Sequence, residues 1–161
     1  MDVPGRRTPA TPGPERWKSV WSLLKQVIGL GVILALAGGG CGSGGQLGAK
    51  ALAQQSKSLQ SQAAEGALLA QGAASGRVTS IYTREHSSEL YAAASQAEIT
   101  LKAAKTELAL EPELRQLAIL AGQISAYLQH LGSASKDEAL VIARELQAAA
   151  QSSQRIAEGL K

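Results

Sequence analysis

Apolar residues recur every three or four positions through the segment 112–132, and this spacing constrains the fold more than any other feature of the chain. The positions are Leu114, Leu117, Ala121, Ile124, Leu128 and Leu131. Such steps place them on one face of an α-helix, as a seam that packs against partner helices. Pro112 suits the first helical position, and Gly132 suits the C-terminal end. The pattern therefore predicts a helix over 112–131.

Two further segments show the same spacing. The segment 136–160 follows Ser135 and Glu138, which have the spacing of a capping box. Its seam is Ala139, Ile142, Leu146, Ala149, Ser153, Ile156 and Leu160. In the segment 77–108 the predicted stripe is Leu90, Ala93, Ala97, Leu101, Ala104 and Leu108. Both segments are therefore predicted to be helices.

A fourth segment, 47–73, is also predicted to be helical, although Gln, Ser and Ala separate its leucines. Gly66 lies in its middle, where glycine costs a helix about 1 kcal/mol relative to alanine. Helices joined by short links pack antiparallel. The chain is therefore predicted to be all-α, a small up-and-down antiparallel bundle of three strong helices plus this weaker N-terminal one. We expect the weaker helix to be the least firmly docked.

The distribution of charge argues against nucleic-acid binding. The chain has 16 Lys and Arg residues against 13 Asp and Glu, a net charge of +3. Of these, 5 basic and 2 acidic residues precede Cys41, which leaves 11 basic and 11 acidic residues for the rest. The predicted bundle is therefore neutral and offers no basic surface to a nucleic acid.

The N-terminal part of the chain has the order of a secretory signal. A polar, basic region ends at Lys25, an apolar run follows at 26–37, and three glycines occupy 38–40. A basic region, an apolar region of about 7–15 residues and a small-residue exit are typical of a cleaved signal peptide. A spanning helix needs about 20 apolar residues. A retained membrane anchor is the alternative, with Trp17 and Trp21 at the level of the lipid headgroups.

The residues 36-LAGGGC-41 resemble the lipobox of bacterial lipoprotein precursors. In that family a small residue precedes a cysteine that is acylated on sulfur and becomes the first residue of the mature chain. Gly40 fits the position before Cys41, whereas Gly38 stands where the family usually has leucine. The resemblance implies that Cys41 is lipidated.

The resemblance also implies a domain organisation. A signal peptide would cover 1–40, the lipidated Cys41 and a flexible Gly/Ser linker would cover 41–46, and the helical bundle would cover 47–161. The other interpretation of this single cysteine is a free thiol in a glycine loop. Free cysteines are usually buried among apolar residues, and the residues directly after Cys41 are not apolar.

The two histidines are the first candidates for a metal or cofactor site. Bundle metal centres take Glu-x-x-His motifs from two helices, but Thr83 and Tyr127 stand three positions before His86 and His130. Helical spacing does place His86 and Glu89 on one face. His130 is expected in the last turn of its helix, where the helix dipole favours a cation. We therefore predict no metal site and no cofactor.

Candidates for catalysis are also weak. Tyr82, Tyr91 and Tyr127 are predicted to lie at bundle edges with hydrated hydroxyl groups, not in a ligand-facing cluster. The chain has no Gly-x-Ser-x-Gly nucleophile motif, no strand before its glycine run at 42–45 and no Cys-x-x-Cys-His haem attachment. No catalytic residue is predicted, and we do not expect an enzyme.

Together these predictions give one expected function and one alternative. The first is a lipid-anchored, exported helical-bundle protein of the bacterial envelope, with a structural or protein-interaction role. Its partners would be the membrane, through Cys41, and an unidentified envelope protein, with no nucleic acid. The alternative is an envelope bundle that binds a ligand or a metal. A solid Ala/Leu interior with an exposed apolar groove favours the first, whereas an acidic residue from another helix beside His86 favours the second.

Overall fold

Most of the residues described by a computed structural model, 46–160, are helical. In chain order the helices are α1 (Ala49–Ala74), α2 (Ser80–Ala103), α3 (Glu111–Leu131) and α4 (Lys136–Gly159), with a short 3-10 turn at Leu108–Leu110. This part of the chain contains no strand. The predicted all-α helical bundle is therefore confirmed.

Local signals position several helix ends as predicted. Ser135 accepts a hydrogen bond from the Glu138 N–H and donates its own N–H to the Glu138 carboxylate, so the capping box is formed. Pro112 lies in the first turn of α3, where its missing N–H leaves no helical hydrogen bond unmade. Gly132 caps the C-terminal end of α3. After α1 the chain turns at Gly76, whose φ of +69° is a conformation that favours glycine.

The helices pack in two main pairs, α1 with α4 and α2 with α3, and consecutive helices also touch. The Ser56 hydroxyl of α1 donates to the Ser153 carbonyl of α4 at 2.5 Å. Further along α1, Gly66 lies against Leu146, which comes earlier in α4. The two helices are therefore antiparallel, as an up-and-down bundle requires. None of the helices described here combines the length and the apolar character needed to cross a bilayer.

Leucine, isoleucine and alanine fill the core. Every predicted seam position of α3 and α4 is buried, except Leu114 and Leu160, which are half-buried. The large apolar side chains with no exposed surface are Leu52, Leu59, Leu117, Ile124, Leu128 and Leu146. The predicted seams of the last two helices are therefore confirmed.

The predicted extent of the second helix, 77–108, is wrong. α2 begins at Ser80 and ends at Ala103. It ends there because the chain turns toward the first described residues, where the Lys105 carbonyl accepts a hydrogen bond of 2.8 Å from the Leu47 N–H. This tertiary contact leaves no trace in the apolar pattern.

The predicted stripe of the second helix is also partly wrong. Ala94 is buried, whereas Ala93 and Leu108 are exposed. Three consecutive alanines at 92–94 cannot show which of them faces the core, because they are equally apolar. Leu108 is exposed because it lies beyond the end of α2.

The expectation that the first helix docks least firmly is wrong. Its interface with α4 is the most extensive in the bundle, and both Leu52 and Leu59 have no exposed surface. The other buried residues of α1 are mostly alanine, serine and glycine, which are small enough for the two backbones to approach closely. On α1, Ser56 and Ala63 are fully buried. The Ala- and Ser-rich composition that weakened the pattern is therefore what permits the packing.

Gly66 contributes directly to this packing. A Cβ atom at this position would lie 2.7 Å from Leu128 Cδ2 and 3.0 Å from Leu146 Cδ1. Two core leucines thus occupy the space that a larger residue would need. The structure assigns Gly66 to close helix approach, and not to loosening of α1.

Candidate functional site

The predicted lipidation site, Cys41, and the predicted signal peptide at 1–40 lie outside the described residues. Within 46–160, two groups of side chains bear on function. One surrounds His86, and the other lies where the chain enters the bundle.

His86 of α2 lies between two carboxylates. Its Nε2 is 2.8 Å from Glu65 Oε1 of α1, and its Nδ1 is 3.3 Å from Glu89 Oε2 of α2. The Tyr82 ring stacks on the imidazole, with ring centroids 5.5 Å apart. We call these four residues the His86 cluster. It links α1 to α2 at the protein surface, since both carboxylates are exposed.

The His86 cluster has the donor atoms of a metal site without their arrangement. Each ring nitrogen faces a different carboxylate, so the two carboxylates lie at opposite edges of the imidazole. A metal such as zinc needs its nitrogen and oxygen ligands to converge on one point, at about 2.0–2.2 Å. No group of His, Cys, Asp and Glu residues in the described part of the chain meets that requirement. The contacts seen are those of hydrogen bonds, one between α1 and α2 and one within α2.

Sequence reasoning predicted part of this arrangement. Glu89 shares a helix face with His86, and His130 lies in the last turn of α3, both as predicted. Glu65 was missed. It is 21 residues from His86 and on another helix, and no helical spacing relates positions across a turn.

The tyrosines lie at bundle edges, as predicted. Tyr82 is exposed, Tyr91 is half-buried against the core, and the Tyr127 hydroxyl donates to Glu145 of α4 at 3.4 Å. Burial raises the pKa of Tyr127, and the negative charge of Glu145 and this hydrogen bond raise it further. Among the described residues no two tyrosine rings stack on each other.

Leu108 is the most exposed large apolar side chain in the described residues, at 88%. It stands on the 3-10 turn before α3. With Pro112 and Ile119 it lines an open depression of about 380 Å³. The other lining residues are Glu111, Arg115 and Gln116. We call Leu108, Pro112 and Ile119 the Leu108 surface.

The Leu108 surface adjoins the place where the chain enters the bundle. Gln46 pairs with Lys105 in an isolated parallel bridge. The Leu47 N–H donates to the Lys105 carbonyl, and the Thr106 hydroxyl donates to the Leu47 carbonyl at 2.5 Å. Because Leu108 follows Thr106 by two residues, the end of the predicted linker is held beside exposed apolar side chains.

Sequence reasoning missed the Leu108 surface because it placed Leu108 in the buried stripe of the second helix. Pro112 was the available signal, since a helix that begins there requires the preceding helix to stop earlier. That signal does not say how many residues earlier. Ile119 lies outside the predicted seam of α3, which agrees with its exposure.

No protein-family description, no curated protein and no solved structure matches this chain. Its function is therefore inferred from its own residues.

Proposed function

We propose that this protein is a lipid-anchored, exported helical-bundle protein of the bacterial envelope, with a structural or protein-interaction role. The observation that carries the proposal is the lipobox-like stretch 36-LAGGGC-41 after an apolar run. Cleavage before Cys41 would remove a signal peptide. The lipid on the cysteine sulfur would then hold the bundle at an extracytoplasmic membrane face.

The character of the bundle favours an interaction role. Its interior is filled by leucine, isoleucine and alanine side chains. The depression at Leu108 and a second one of about 320 Å³ near Glu113 and Arg155 are both open to solvent. The first is lined by the exposed apolar side chains of Leu108 and Ile119, and exposed apolar surface is one mark of contact with a partner or a membrane. The proposed role includes no catalysis, no cofactor and no nucleic acid, since the sequence has neither a nucleophile motif nor a basic surface.

Replacing Cys41 with alanine tests the lipid anchor. We expect Cys41→Ala to accumulate as a longer, unacylated precursor, because the sulfur that receives the lipid is absent. Intact-mass analysis of the membrane fraction reports cleavage and acylation together. Ser43→Ala, in the same linker, is the matched control and should mature normally. A Cys41→Ala chain whose mass differs only by the substituted side chain, and whose detergent partitioning is unchanged, would contradict the anchor and would leave a free thiol or a retained apolar anchor.

Ligand or metal binding by the bundle is the second candidate function, and the His86 cluster favours it. Glu65 comes from a different helix than His86 and Glu89, and ligands from several helices are what a bundle metal centre uses. Both carboxylates are exposed, so they are free to change rotamer around an incoming ion.

The arrangement of the His86 cluster nevertheless leads us to expect no stoichiometric transition metal in the purified protein. The two carboxylates lie at opposite edges of the ring, and each already accepts or shares a hydrogen bond there. Elemental analysis after purification without chelators measures the metal content, with His130→Ala as the matched control. Near-equimolar metal that is lost in His86→Ala and kept in His130→Ala would favour the second candidate function.

A further inference from the structure

We propose that the Leu108 surface contacts the lipid bilayer to which the protein is anchored, with Leu108 inserted at the boundary between headgroups and acyl chains. This inference, which rests on the proposed lipid anchor, adds the face of the bundle that the membrane meets. The occupant of the apolar depression is then phospholipid.

The length of chain before the bundle brings the membrane close to this surface. Five residue steps separate Cys41 from Gln46, and an extended chain spans at most about 3.6 Å per residue, so the two lie within about 18 Å. Gln46 is paired with Lys105, and Leu108 is three residues further along. A lipid on Cys41 therefore keeps the Leu108 surface within reach of the headgroup region.

The exposed side chains suit shallow insertion into a bilayer. Leu108 is 88% exposed and Ile119 is 58% exposed, and Pro112 lies in the same depression. Many proteins lie on a membrane by inserting apolar side chains into the boundary between headgroups and acyl chains. A few such residues bind weakly alone, but an anchor gives them a high effective concentration at the surface.

The charges around the Leu108 surface cancel. Two charged residues line the depression, Glu111 and Arg115, and their charges are opposite. A neutral surface gains little from anionic lipid. The contact should therefore depend on apolar insertion and be insensitive to the anionic fraction of the bilayer.

Tryptophan fluorescence in vesicles with brominated acyl chains tests this contact on the full chain. Both native tryptophans, Trp17 and Trp21, precede Cys41, so a cleaved chain has no native tryptophan emission. The emission of the unsubstituted protein is thus the baseline for the variants, and it also reports whether the N-terminal segment has been cleaved. The matched variants are L108W and I81W, because Ile81 is 70% exposed and lies about 33 Å along α2 from the end nearest the linker.

We expect brominated chains to remove about half or more of the emission added by L108W, since a side chain at the acyl boundary touches them. Emission added by I81W should be nearly unchanged, and replacing zwitterionic with anionic lipid should alter neither result. Equal quenching of the two variants would overturn the membrane contact. That result includes the case in which neither variant is quenched, as expected if a protein covers the Leu108 surface.

The outcomes for the anchor and for the contact are distinguishable. Absent native emission, with L108W unquenched on a chain that floats with the vesicles, agrees with the cleaved and anchored chain and overturns the contact. Native emission with quenched L108W supports the contact and overturns cleavage, leaving a retained apolar anchor. A full chain that does not float with the vesicles overturns both.

Discussion

Leu59→Ala should lower the free energy of unfolding by about 2–5 kcal/mol, as much as Leu128→Ala, because both truncations open a cavity in a closed core. Both leucines have no exposed surface. Leu59 lies one helical turn from Ser56, whose hydroxyl donates to α4. The buried residues of α4 near Ser153 are mostly alanine, and such small side chains cannot rearrange to fill the space. Since domains of this size are stable by about 5–15 kcal/mol, either loss is large.

Urea melts of the purified protein measure this prediction, with Leu68→Ala as the control on the same helix. Leu68 is 69% exposed, so its truncation should change stability by about 0.5 kcal/mol or less. If Leu59→Ala behaves like Leu68→Ala, α1 is a peripheral helix that can leave the bundle. In that case the sequence-based expectation of a loosely docked first helix is restored.

Gly66→Leu should destabilise the bundle by about 1–3 kcal/mol or more, because overpacking displaces core side chains and backbone. Even a single Cβ there would lie 2.7 Å from Leu128 Cδ2. Gly66→Ala gains about 1 kcal/mol of helix propensity, which the same contact offsets. The larger substitution therefore gives the clearer result.

Ala64→Leu is the matched control for Gly66→Leu, since it adds the same side chain to an exposed position two residues earlier in α1. Urea melts should show a change of about 0.5 kcal/mol or less for the control. Combining Gly66→Leu with Leu128→Ala should lose less stability than the two single changes added together, because one fills the space that the other opens. Strict additivity would show that Gly66 and Leu128 are not in contact.

The helices with large side chains at regular spacing were predictable from sequence alone. In α3 and α4, leucine and isoleucine recur at steps of three and four residues, and their seams proved to be buried. The capping box at Ser135 was predictable as well, because a capping box is a local interaction between residues three apart. These features depend on contacts or periodicities within one helix.

The packing of α1 and α2 was not predictable in the same way. Ala93 and Ala94 have the same hydropathy, so the pattern could not choose between them, and glycine has no side chain that could mark Gly66 as a packing residue. What buries them is the close approach of neighbouring backbones. That approach depends on the shapes of side chains on other helices, such as Leu128 and Leu146.

The residues around the candidate sites also divide into those that the sequence predicted and those that only the structure revealed. The sequence by itself determined an all-α chain, the two regular seams and the position of Cys41 before the bundle, because each of these is local in the chain. Only the tertiary structure decided that Glu65 contacts His86 and that Lys105 contacts Leu47. It also decided that Leu108, three residues after Lys105, is left exposed. The physical reason is that these pairings join residues far apart in sequence, whose approach is set by how complete helices pack.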